Sequence, residues 1–99
     1  MLLIVGTVRL PADKLDEARP IMARMLDASR AEAGCMEYAY AEDVIDRGLI
    51  HVKERWSGQV ALAEHFNSPH IAEWRQAWPR LGIRDRDLWL YEVGQPQTI

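Results

Sequence analysis

The stretch Cys35-Met-Glu-Tyr-Ala-Tyr-Ala-Glu-Asp-Val-Ile-Asp-Arg-Gly-Leu-Ile-His-Val-Lys-Glu-Arg-Trp56 decides the fold. Two alternating runs, 35–42 and 49–56, flank a segment rich in turn residues, which spells a pair of antiparallel strands joined by a hairpin loop. Working upstream, Leu2 to Leu10 is an apolar run closed by Pro11, which cannot donate to a ladder, and it reads as a first strand. Between that strand and the hairpin, Leu15, Ala18, Met22, Met25, Leu26 and Ser29 recur at helical spacing, with Asp13 placed to cap the helix and Gly34 to stop it. Pro20 interrupts the pattern, because it removes the bond to the carbonyl of Asp16, and a kink or an irregular first turn is expected. Downstream, Ser57 is placed to cap a short helix through Asn67. Ser68 and Pro69 then restart a second piece to about Leu81, and Asp87 to Val93 forms a last strand. The order β-α-β-β-α-β defines an α+β fold, ferredoxin-like, in which the helices cover one face of a four-stranded antiparallel sheet.

No linker or charge run divides the 99 residues, so residues 1–99 read as one domain with a polar tail from about residue 94. Apolar residues make up 48% and charged residues 27%, enough to bury a core and keep a solvated surface. A formal charge of −3 with scattered arginines offers no footprint for a phosphate backbone, so nucleic acid is not expected as a partner. The opening apolar run is too short for a membrane span or a signal peptide, so a cytoplasmic chain without a membrane partner is expected. A single cysteine, Cys35, supplies neither an internal disulfide nor a multi-cysteine metal pattern. Strand one is apolar on both faces, Leu2, Ile4 and Val8 against Leu3, Val5 and Thr7. In the last strand Leu88 and Leu90 likewise oppose Trp89, Tyr91 and Val93. A sheet wetted on one face would alternate, so the uncovered face is expected to pack on a second copy of the chain.

Four segments carry a family resemblance: Glu32-Ala-Gly-Cys-Met-Glu-Tyr38, Glu54-Arg-Trp-Ser57, Ala61-Leu-Ala-Glu-His65 and Ser68-Pro-His70. Together they resemble the antibiotic biosynthesis monooxygenase domain family, and the strand and helix lengths fall where that family places them. The resemblance implies a dimeric α+β barrel with a pocket between the helices and the sheet of each subunit. It also implies a choice of chemistries, since members of the family oxidise quinols or anthrone-like rings with dioxygen and no cofactor, cleave haem, or isomerise small metabolites. Haem-degrading members resemble one another in an Asn on strand one and a Trp on the short helix. This chain has Gly6-Thr7 and His65 in those neighbourhoods, and the histidine is a point of similarity to the oxygenases.

Among residues able to do chemistry, His65 falls on the short helix, and Glu54 falls on the strand face shared by Val52 and Trp56, so a carboxylate–imidazole pair is plausible. Such a pair makes a general base for a phenol near neutral pH, or alternatively a structural tie between helix and sheet. His65 and His70 are five apart across Ser68-Pro69, and no third ligand of suitable spacing is visible, so no metal is expected. Phe66, Trp74 and Trp78 are either core or the wall of a pocket for a planar ring. Tyr38, Tyr40, Trp56, His70, Thr7 and Cys35 complete the candidate wall, while His51, Lys53 and Arg55 belong to the opposite face. With no dinucleotide, phosphate-loop or haem-attachment motif, the reading is a monooxygenase without a cofactor. It would oxidise a quinol, phenol or polycyclic aromatic substrate with dioxygen. The alternatives are a non-catalytic protein that binds a small apolar or aromatic molecule, and an isomerase of a small hydroxy-ketone.

Overall fold

In a computed structural model describing residues 1–99, strands β1 (Leu2–Arg9), β2 (Cys35–Glu42), β3 (Leu49–Trp56) and β4 (Arg84–Glu92) form one antiparallel sheet in the order β2-β3-β1-β4. Helices α1 (Leu15–Arg30), α2 (Gln59–Phe66) and α3 (Pro69–Leu81) supply the helical layer. The alternation of β3 sets the layering. Ile50, Val52, Glu54 and Trp56 are buried, while His51 and Lys53 are exposed and Arg55 is half-buried on the outer face. Buried Leu2, Ile4 and Val8 of β1 join Tyr38, Val52 and Trp56 in the core, which Leu15, Met22 and Met25 of α1 and Ile71, Trp74 and Leu81 of α3 close from above. Burial on this scale supplies the main stabilisation, at about 25 cal/mol per Å² of apolar surface removed from water.

Several helix boundaries differ from the sequence expectation, each for a local reason. Asp13 does not cap α1. It lies within a 3-10 turn, Ala12–Lys14, and α1 starts after Lys14 with no side-chain cap. Pro20 lies inside α1, on its exposed side, and the helix runs unbroken from Leu15 to Arg30. Ser57 does not cap α2 either, since Gly58 in extended backbone occupies that position and α2 ends at Phe66. Ser68 behaves as expected: its hydroxyl accepts from the Ile71 N–H at 3.4 Å, Pro69 opens α3, and Gly82 in the left-handed region closes it. Strand β4 begins three residues earlier than the apolar pattern suggested, at Arg84, because pairing with β1 resumes there beyond a register shift between Thr7 and Arg9.

The two faces of the sheet are unequal. On the outer face, Leu3 lies opposite Tyr91 and Val5 opposite Trp89, and Trp89 and Tyr91 are 62% and 50% exposed. The β2–β3 half of the same face is charged: Glu37 pairs with Lys53 at 2.7 Å and Arg55 at 2.8 Å, and His51 pairs with Asp43 at 2.8 Å. On the inner face Leu90 lies opposite Ile4 and Leu88 opposite Gly6, yet Leu90 is exposed because no helix covers the β4 edge. No helix is long and apolar enough to cross a membrane.

Candidate active site

His65 is held by a residue 33 positions earlier in the chain. Its Nδ1 lies 2.6 Å from Oε2 of Glu32, and the ring is only 2% exposed. Glu32 belongs to the turn between α1 and β2, where its N–H donates to the Ser29 carbonyl and its own carbonyl accepts from Cys35. Gly34 brings that turn against α2. At φ 82° its backbone is one that side chains rarely adopt, and a Cβ there would lie 2.6 Å from both Ala61 Cβ and Ser57 Oγ. The Gly34 carbonyl accepts from the Ser57 N–H at 2.8 Å, which fixes the turn to the end of β3. His70 reaches the same carboxylate oxygen from the first turn of α3, with its Nε2 at 2.9 Å. Ser68 donates to the His65 carbonyl at 2.6 Å and lies 3.2 Å from His70 Nε2, so one serine ties the cap of α3 to both histidines.

This corrects the expected pair. The carboxylate bonded to His65 is Glu32, while Glu54 accepts from the Trp56 indole at 3.0 Å. Period and spacing could not find Glu32, because it sits in an irregular turn. The available signal was an acidic residue just before the glycine that ends a helix, inside one of the segments that carried the resemblance. The expectation of no third metal-binding group beside the two histidines also fails on geometry, since ligand atoms of Glu32, His65 and His70 all lie within 4.8 Å of one another.

His65 contributes to the wall of a narrow cavity between helices and sheet, of about 30 Å³, together with Tyr38, Tyr40, Glu54, Phe66, Trp74 and Trp78. The aromatic residues form a connected set. Ring centres lie 4.5 Å apart for Trp56 and His65, 5.3 Å for Tyr38 and His65, 6.2 Å for Tyr40 and Trp74, and 6.3 Å for Trp74 and Trp78. Trp56 is fully buried behind this wall rather than in it, and its part is to hold Glu54. Thr7 is not a wall residue: it pairs with His51 and Asp87 on the outer face, the side of β1 already assigned to Leu3 and Val5. His70 serves through Glu32, and it does not line the cavity. Arg75 and Arg86 complete the polar part of the lining, their guanidinium groups 5.7 and 5.8 Å from the rings of Phe66 and Trp78. The Trp78 indole N–H is buried without a hydrogen-bond partner, so this wall offers a ligand an unused donor. A wider cleft of about 200 Å³ between α2 and β4 shares Glu54, Phe66, Arg86 and Leu88 with the cavity.

Burial dominates the proton affinities. It lowers the pKa of His65 despite the opposing pull of Glu32, which keeps the imidazole neutral near pH 7. Burial also raises the pKa values of Tyr38 and Tyr40 and favours their neutral phenols. It pushes the Glu54 carboxyl up as well, and the Trp56 bond offsets this only in part. For Glu54 the folded protein therefore binds the proton more tightly than the unfolded chain does. The stability tied to the protonated carboxyl is fully present below about pH 4.3 and is lost as pH rises through the higher folded value. Glu54→Gln should preserve acceptance from Trp56 and remove this loss. Thermal melts from pH 4 to 8 should show the variant gaining on the parent as pH rises, and parallel curves would contradict the assignment.

A four-stranded antiparallel sheet roofed by helices, with a Glu32-bonded histidine lining an aromatic cavity, defines a small ferredoxin-like α+β domain. Residues 1–77 match the model of the family described as antibiotic biosynthesis monooxygenase, and the chain belongs to that family. A putative antibiotic biosynthesis monooxygenase from Deinococcus radiodurans has a similar structure, with a TM-score of 0.90 at 26% identity over 100% of this chain and 98% of that one. Rv0793 of Mycobacterium tuberculosis superposes with a TM-score of 0.84 at 25% identity, over 98% of each chain. By sequence that protein, named as a putative monooxygenase, is 35% identical over 63 residues, which span 64% of this chain and 61% of its own length. An uncharacterized Synechocystis protein, sll1783, is 26% identical over 99% of this chain and 67% of its own length.

Proposed function

We propose that the chain is a cofactor-independent monooxygenase that oxidises a small phenol or quinol with dioxygen, with His65 as the base. The observation that supports this reading is the 2.6 Å bond between His65 Nδ1 and Glu32 beside an aromatic cavity. An ionised carboxylate only accepts, so the shared proton sits on Nδ1 and the lone pair on Nε2. Nε2 then takes the substrate proton, and Glu32 stabilises the imidazolium that forms. The carbanion-like ring passes one electron to dioxygen, and the radical pair combines to a hydroperoxide at a carbon bearing hydrogen. Loss of water across the C–H and O–O bonds leaves a carbonyl. Glu54, biased towards its protonated form, would supply a proton to the departing oxygen. The aromatic wall and the Trp78 N–H would orient the ring, and exclusion of water would protect the anion. The narrow cavity and the cleft beside it are small against the roughly 300–1,000 Å³ of sites for larger ligands, which favours one or two rings over a polycyclic substrate. The test is oxygen uptake against a panel of quinols of increasing ring number, with His65→Ala alongside.

The same proposal includes a cytoplasmic homodimer built on the apolar half of the outer face, where Leu3, Val5, Trp89 and Tyr91 lie together. Sedimentation at micromolar concentration should give twice the chain mass, and Trp89→Lys should shift it towards the monomer. A monomeric parent protein would remove the dimer from the proposal.

A further inference from the structure

We propose that Glu32, His65 and His70 form a site for a borderline divalent cation such as Zn²⁺ or Co²⁺, and that occupation of this site silences the base. Three features of the cluster support it. The donor set of two imidazoles and one carboxylate is one that zinc takes in three-ligand sites, with water completing the shell. The donor atoms already converge: His65 Nδ1 and His70 Nε2 lie 2.6 and 2.9 Å from the same Glu32 oxygen, and all the ligand atoms fall within 4.8 Å of one another. Metal–nitrogen bonds of about 2.1 Å then require only that the carboxylate, on a turn rather than in a helix, draw back to admit the ion. The third feature is access. His65 is buried, but the side chains of His70 and Glu32 are 19% and 16% exposed, which leaves a route from solvent and a place for water on the ion.

The two occupants of the cluster, proton and metal, exclude each other at one atom. Without metal, Nδ1 of His65 carries the proton and Nε2 is the free acceptor. Coordination through Nδ1 displaces that proton, and the neutral ring keeps one proton on Nε2, so its lone pair is no longer available. His70 exchanges in the same way, moving its proton from Nε2 to Nδ1, and no proton need leave the protein. This consequence rests on His65 being the base, whereas the binding site itself does not.

The experiment is titration of chelator-treated protein with Co²⁺, followed through its visible d–d bands, with Zn²⁺ competition and calorimetry, all without substrate. One ion per chain, displaced by Zn²⁺, is expected. Binding should weaken at least tenfold in both His70→Ala and Glu32→Gln and should be unchanged in His51→Ala, which removes a surface histidine remote from the cluster. Absence of saturable binding, or binding as tight in the two cluster variants as in the parent, would overturn the proposal. Circular dichroism of each variant checks that the fold is retained, and Glu32→Gln preserves the shape of the side chain should His70→Ala fail to fold. An inactive protein that binds Co²⁺ would count against the base alone, and an active protein indifferent to both ions would count against the metal site alone.

Discussion

His65→Ala is expected to reduce turnover of an accepted quinol by about 10²–10⁴-fold, the usual contribution of a positioned general base. The loss should fall on kcat, with KM little changed, because the ring is held by the aromatic wall and the imidazole acts on a proton. Since His65 is buried against Trp56 and Tyr38, truncation also opens a hole in the packing, and a fall in melting temperature will accompany the kinetic loss. Glu32→Gln separates the two effects. It retains the shape of the turn but removes the charge that stabilises imidazolium, so it should lower kcat by more than tenfold while disturbing the fold far less. Oxygen uptake and quinone absorbance, recorded together, check this. Equal uptake in parent and His65→Ala would remove the histidine from the reaction, and equal uptake in Glu32→Gln would reduce the carboxylate to a structural partner.

Gly6→Ala should do more damage to the fold than any surface change. Gly6 lies in the middle of β1, paired with Val52 on one side and Leu88 on the other, at φ 154°. A Cβ at that point would lie 1.9 Å from the Asp87 carbonyl oxygen and 2.8 Å from Leu88 Cα. Backbone atoms cannot swing aside as a flexible side chain can, so β4 must move or unpair. The cost should be at least about 3 kcal/mol, in the range reserved for core disruption and strained backbone. Chemical denaturation should show the lower midpoint, and amide exchange should show protection lost first along Arg84–Glu92. A midpoint within experimental error of the parent would mean that β4 accommodates the methyl group.

What the sequence made legible follows from the range over which each signal acts. The alternation of residues 49–56 predicts strand β3 and sets Glu54 on the face of Val52 and Trp56, because period two is a local property of a pleated strand. Ser68-Pro69 predicts the start of α3 for the same reason. Asp13 and Ser57 do not cap, because the chain inserts a 3-10 turn at one and an extended glycine at the other, and neither leaves a mark in residue type. At the site, His65, Glu54 and the aromatic wall were identifiable from residue type and face. The Glu32 contact was not, since it depends on where a turn after one helix meets a helix that begins 27 residues later. Thr7 was placed on the outer face by the same alternation that buries Leu2 and Ile4, and that alone argued against a place in the wall.

The separation between the Glu32–His65–His70 cluster and strand β4 has a consequence for descent. The proton-handling groups sit on the α1–β2 turn and on α2 and α3, whereas the outer wall of the cleft comes from Arg86, Leu88, Trp89 and Leu90 on the edge strand. An edge strand exchanges side chains with little effect on the interior, so a lineage can alter which molecules it accepts by drift at Arg86, Leu88 and Leu90 while the acid–base apparatus and the outer face of the strand stay fixed. Diversification within such a family would then be written mainly in its final strand, and grafting that strand between relatives is a direct way to move substrate preference from one to another.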